Sequence, residues 1–137
     1  MNKVYATGSY GPHEEGPEVA EVRLRIPDDE SSSRMALLAS GFADPGRIRL
    51  LNALAGGAVC VGDLALALGV SQSSVSHQLR VLRSIGVVTS DRRGRHIYYS
   101  LAWPGAAKVL RELRAAIDGS ESWQDPASAG DDTQEEV

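Results

Sequence analysis

The chain has 137 residues, 42% of them hydrophobic, which allows one small helix-rich domain that gains stability from a second copy. No apolar run approaches the roughly 20 residues that span a bilayer. Residues 1–10 lack the basic start and apolar stretch of a signal peptide, and the single cysteine, Cys60, excludes an internal disulfide framework, so a cytoplasmic protein is expected. The formal net charge of −4 argues against a nucleic-acid partner only until it is mapped along the chain. Residues 1–33 carry three basic and seven acidic side chains, and residues 118–137 carry seven acidic and none basic. The middle, 34–117, holds eleven basic against four acidic groups, and affinity for DNA follows such local charge at the phosphates.

Residues 1–33 mix Gly, Pro, Ser and acids and read as a flexible acidic arm, within which Val19 to Ile26 alternates as an extended segment would. Met35 to Phe42 forms a short apolar helix that stops near Asp44-Pro45. Pro45 or Gly46 opens a second helix with Ile48, Leu50, Leu51 and Leu54 inward, ended by Gly56-Gly57. Val61 to Leu68 is a short third helix closed at Gly69. Ser71 then caps a fourth, from Gln72 to about Ser84, with Val75, Leu79 and Leu82 on one face. Val87 to Asp91 and His96 to Leu101 alternate as strands around Arg92-Arg93-Gly94-Arg95, a hairpin with glycine at its turn. Trp103 to Ile117 is the last helix, with Pro104 in its first turn, and the acidic residues 119–137 read as a disordered tail. The domain proper is therefore 34–118.

A short helix, a tight turn at Gly69-Val70-Ser71, a second helix and a basic hairpin make a winged helix-turn-helix, mainly α with a small β-hairpin wing. Leu64, Leu68, Val75 and Leu79 supply the apolar contact that sets the crossing of the two helices. The solvent side of the second is left with Gln72, Ser73, Ser74, Ser76, His77, Gln78 and Arg80, groups able to approach base edges. No carboxylate occurs from Gln72 to Ser90. Arg92, Arg93 and Arg95 at the wing tip reach the DNA backbone or an adjacent minor groove. Any one of these features alone fits a solvated polar helix or an exposed basic turn; together and in this order they point to double-stranded DNA.

The runs Val59-Cys-Val-Gly-Asp-Leu-Ala, Leu68-Gly-Val-Ser-Gln-Ser-Ser-Val-Ser-His-Gln-Leu-Arg-Val-Leu-Arg and Arg93-Gly-Arg-His-Ile-Tyr-Tyr-Ser-Leu closely resemble the ArsR/SmtB family of metal-responsive repressors. The likeness extends from residue 35 to about 117. It implies a homodimer that occupies operator DNA and lets go when an inducer binds, with dimerisation through helices 35–43 and 103–117. The stripe Leu110, Leu113 and Ile117 suits that interface, although ordinary core packing also accounts for part of it.

Many members of the family hold metal on the last helix through Asp and His; here that stretch reads Ala102-Trp103-Pro104-Gly105, and residues 101–137 contain no histidine. A second family site joins the third helix to the arm of the partner. Cys60 and Asp63 match its helix positions at i and i+3, Gly62 stands where a second cysteine occurs in relatives that select soft metals, and the arm offers His13, Glu14 and Glu15. A set of Cys60, Asp63 and His13 suits a zinc- or cobalt-like ion better than arsenic, cadmium or lead. Two other readings stay open, a regulator that needs no inducer and one that responds through its thiol. Cys60-x-x-Asp63 occupies the place of a capping box, though sulfur is a poor cap acceptor, and a thiol at a helix N-terminus is open to oxidation. His77 and His96 fall in the DNA-reading elements. A winged-helix protein-interaction module with an incidental basic face is the rival from another class. An enzyme is not expected, since no phosphate-binding glycine loop or nucleophile signature occurs.

Overall fold

The computed structural model describes residues 16–119. His13, Glu14 and Glu15 and most of the acidic tail lie outside the described residues. The chain divides at Arg34/Met35 into two units. In the first, α1 (Pro17–Arg25) is a helix with Pro17 at its first position and no buried side chain. The alternation read as extended from Val19 to Ile26 is thus helical: Val19, Val22 and Ile26 also recur at i, i+3 and i+7, and proline preorganises the first turn. Pro27 follows the extended Ile26 and ends the helix.

The next helix, α2 (Asp29–Ser40), runs across the division and begins six residues before the expected Met35. The reason is a cap. The Asp28 carboxylate accepts from the Ser31 backbone N–H at 2.7 Å, and Asp29 and Glu30 place negative charge on the first turn. That hydrogen bond holds the Asp28 pKa below its ordinary value. Ser31 to Ser33, which read as the end of the flexible arm, lie within this helix.

In the second unit, Gly41 ends α2 at a close approach: a Cβ there would lie 3.1 Å from Val87 Cγ2 and 3.4 Å from Leu82 Cδ2. Then α3 (Pro45–Ala53) starts on the Asp44 carboxylate, which accepts from the Arg47 N–H, and closes at Leu54, before Gly56-Gly57. A two-residue strand, β1 (Val59–Cys60), precedes α4 (Val61–Leu68) and α5 (Gln72–Ile85). Two longer strands, β2 (Val88–Arg93) and β3 (His96–Leu101), lead to α6 (Pro104–Asp118).

The sheet is antiparallel in the order β1-β3-β2. Its third strand was not foreseen, because two residues carry no alternation to read. Arg92 and Arg93, expected in the turn, are strand residues, leaving only Gly94 and Arg95 to turn the chain, with Gly94 at φ 63°.

One apolar core joins Leu50, Leu51 and Leu54 of α3 and its exit, Leu64 and Ala65 of α4, Val75, Leu79 and Leu82 of α5, Val87 and Val88 entering β2, and Leu110 of α6. The side chains expected inward on α3, α4 and α5 are buried or half-buried in it. The described residues therefore form a mainly helical winged helix-turn-helix with a three-stranded wing. Among them, no helix is long and apolar enough to cross a membrane.

Candidate nucleic-acid interface and sensor position

The reading head is built by two backbone devices. Gly69 sits in the left-handed region at φ 67°, which lets Val70 N–H return to the Ala65 carbonyl and end α4 in a tight turn. Ser71 is extended, and its hydroxyl accepts from Ser74 N–H at 3.1 Å to start α5. With Val75, Leu79 and Leu82 buried, the opposite side of α5 must face water.

The sequence candidates on α5 separate into three strips. Ser73, His77 and Arg80 are exposed on the outermost strip, which Ser84 extends. Gln72 and half-buried Ser76 flank it on one side, and the Gln72 amide nitrogen lies 3.8 Å from where a Cβ on Gly62 would sit. Ser74 and half-buried Gln78 flank it on the other, toward α3. There Gly46, Arg49, Leu68, Val70, Ser74 and Gln78 line a small notch of about 70 Å³. Arg49 donates to the Leu68 carbonyl at 3.4 Å and so adds a cation beside α5. Sequence reasoning passed over it because it lies outside the helix-turn-helix; the available signal was an exposed arginine among the apolar positions of α3.

The three wing arginines are all exposed but differently held. Arg93 Nε donates to Asp91 Oδ2 at 3.1 Å, and its guanidinium carbon stands 4.9 Å from the centre of the Tyr98 ring. Arg92 Nε reaches only the Gly94 carbonyl, at 3.5 Å. Arg95, among the described residues, makes no ion pair.

Cys60 is half-buried, extended, and the N-cap of α4, and its sulfur makes no capping hydrogen bond. The capping-box reading therefore fails at the cysteine end. Asp63 is exposed in the first turn of α4. Among the described residues, no group of three or more His, Cys, Asp and Glu side chains could hold a metal ion. Of the expected set, Cys60 and Asp63 offer a sulfur and an oxygen donor at the start of α4, and His13 lies outside the described residues.

On α6, Leu110 belongs to the core, whereas Leu113 is 44% and Ile117 63% exposed. With Phe42, Ile48 and Asn52 they line a mainly apolar groove of about 450 Å³. Trp103, in place of a ligand at the start of α6, is its N-cap and packs edge-on against Phe42 at 6.4 Å.

Residues 44–90 match the model of the bacterial regulatory protein arsR family. The transcriptional repressor SmtB homolog of Synechocystis sp. is 42% identical over 104 residues, covering 76% of this chain and 79% of that protein. Among solved structures, the solution structure of apo-NmtR superposes with a TM-score of 0.63 at 33% identity, covering 88% of this chain and 95% of that one. The homodimeric winged helix-turn-helix DNA-binding domain from Mycobacterium bovis superposes at 0.61, covering 73% and 99%; at 22% identity it speaks for the fold alone. Families of this kind regulate transcription and are not enzymes. The chain belongs to the ArsR family of helix-turn-helix transcriptional regulators and is a DNA-binding repressor of that family.

Proposed function

We propose that the chain represses transcription in the cytoplasm by occupying an imperfect palindromic operator as a homodimer, and that a zinc- or cobalt-like ion releases it. The observation that carries the DNA reading is the outer strip of α5, Ser73, His77 and Arg80, exposed beside a wing with three arginines. Arg80 and His77 meet base edges, the two glutamines and the serines flank them, and Arg92, Arg93 and Arg95 engage phosphates or the minor groove. The uncovered Leu113 and Ile117, with the groove at their side, support pairing through α6 with a second copy.

For the inducer, Cys60 is the favoured position. It opens α4, which packs on α5, and it pairs through β1 with Tyr98 of the wing's central strand, so it is tied by backbone to both reading elements. With Asp63 and His13 from the arm of the partner subunit, its thiolate would give a mixed sulfur, oxygen and nitrogen set. Bound there, such an ion supplies coordination that ties helix to arm. Release requires that it favour the DNA-free conformation, and a coupling of roughly 1–3 kcal/mol is ordinary for such switches.

Cobalt(II) titration tests this. The parent chain is expected to develop a near-ultraviolet thiolate charge-transfer band and to leave its operator in a gel shift. Cys60→Ser is expected to lose the band and stay bound. A Cys60→Ser chain that responds like the parent, or a parent that binds no cobalt, contradicts the sensor reading while leaving the DNA reading intact.

A further inference from the structure

The wing changes character at Tyr98. Tyr98 is the Cα partner of Cys60 on one side and of Asp91 on the other, and it is the last position toward the tip at which the sheet has three strands. Beyond it only β2 and β3 continue, through Arg92↔Ile97 and Arg93↔His96 to the turn. Arg93 folds back from this two-stranded tip onto the ring of Tyr98 and the carboxylate of Asp91, which is two residues away and so on its own face of the sheet. Asp91 is also the sole carboxylate between Asp63 and Glu112, a stretch that contains α5, β2 and β3.

Both members of the ion pair are well exposed, 59% and 68%, and such pairs contribute little to folding stability. Their consequence lies in what the guanidinium is free to do. An arginine has five N–H donors in a planar fork. With Nε given to Asp91, the two terminal nitrogens remain for a phosphate, and the ring beneath fixes the plane in which they point. Binding to random DNA comes almost wholly from phosphate neutralisation. A phosphate that meets the wing without a docked α5 must reach Arg93 against the carboxylate already there. In the operator complex α5 sets the register, and the held guanidinium is presented at one place.

We propose that Asp91 and Tyr98 are positioning residues for Arg93, and that Asp91 sharpens discrimination between operator and random DNA by keeping this one wing cation partly occupied. The proposal rests on the reading of the wing as a DNA contact.

The test measures affinity and its salt dependence on an operator duplex and on a random duplex. Asp91→Asn is expected to raise affinity for random DNA about two- to fivefold, the worth of an exposed ion pair. The salt slope should steepen by up to about 0.9, one phosphate's share, with a smaller gain on the operator, so that the ratio falls. In an Arg93→Ala background the same substitution is expected to change neither duplex. Tyr98→Leu should weaken the operator complex and leave random DNA unaffected, and Tyr98→Phe, which keeps the ring, should behave as the parent. An Asp91→Asn gain that persists without Arg93 is a general charge effect and overturns the proposal. So does an unchanged random-DNA affinity in Asp91→Asn when Arg92→Ala with Arg95→Ala weakens both duplexes. If that last double variant weakens neither, the wing does not touch DNA, and the proposal falls with the reading beneath it.

Discussion

Helices α5 and α6 are of similar length, 14 and 15 residues, and each carries an apolar stripe along one side, yet among the described residues only that of α5 is covered along its whole length. On α5 the stripe of Val75, Leu79 and Leu82 is fully buried in the core, against α4 and the start of the wing. On α6 the stripe is covered at Ala106 and Leu110 and then runs out into water at Leu113 and Ile117. The reading head is therefore complete in one chain, and its polar face is free for a ligand because its apolar face is satisfied. The second half of α6 leaves Leu113 and Ile117 exposed among the described residues. In the function proposed above, one helix serves DNA and the other a second copy; exposed apolar side chains alone do not establish that division, since single ones are ordinary.

The sharpest way to break this contrast is to truncate both stripes. Leu79→Ala should destabilise the protomer by about 2–5 kcal/mol, because a fully buried leucine leaves a cavity in a close-packed core. Leu113→Ala should leave the thermal midpoint of dilute, dissociated protein nearly unchanged. Equal destabilisation by the two would show that α6 is covered inside the protomer after all. Charge at the exposed end gives the next effect. Leu113→Glu with Ile117→Glu should weaken self-association by about a hundredfold or more in sedimentation, since like charges facing one another across an interface cost several kcal/mol. The far-ultraviolet dichroism of each chain should be retained.

Smaller effects sort the DNA face itself. His77→Ala and Arg80→Ala, on the outermost strip, should each cost about 1–3 kcal/mol on the operator, as a base-edge contact does. Gln78→Ala, half-buried toward α3, should cost less than about 1 kcal/mol. Reversal of that order would mean that α5 enters the groove on its α3 side, with Arg49 beside it.

The helices from Pro45 to Asp118 are legible because each carries its own punctuation: Asp44-Pro45, Gly69, Ser71, Pro104 and Gly86, the C-cap of α5, mark ends, and apolar spacing fills the intervals. The parts that escaped depend on information not carried locally. Helix α1 was misread because an alternating run can also satisfy a helical period, and Pro17 decides between them. Strand β1 exists only through pairing with Tyr98 and Tyr99, almost forty residues away. The list of α5 side chains could be written from the sequence, but which glutamine leans on which glycine depends on helix crossing. The contact of Arg93 with Asp91 and Tyr98 likewise needs the register of the hairpin, which was read with its turn two residues too wide.

Selecting bound sequences from a random duplex pool with the parent chain shows whether two copies joined through α6 present two α5 helices to DNA. The expected result is enrichment of an imperfect inverted repeat whose half-sites are centred about one helical turn, roughly 10 base pairs, apart. A single unrepeated motif, or a pool that stays random while the protein is retained on it, would overturn the paired arrangement.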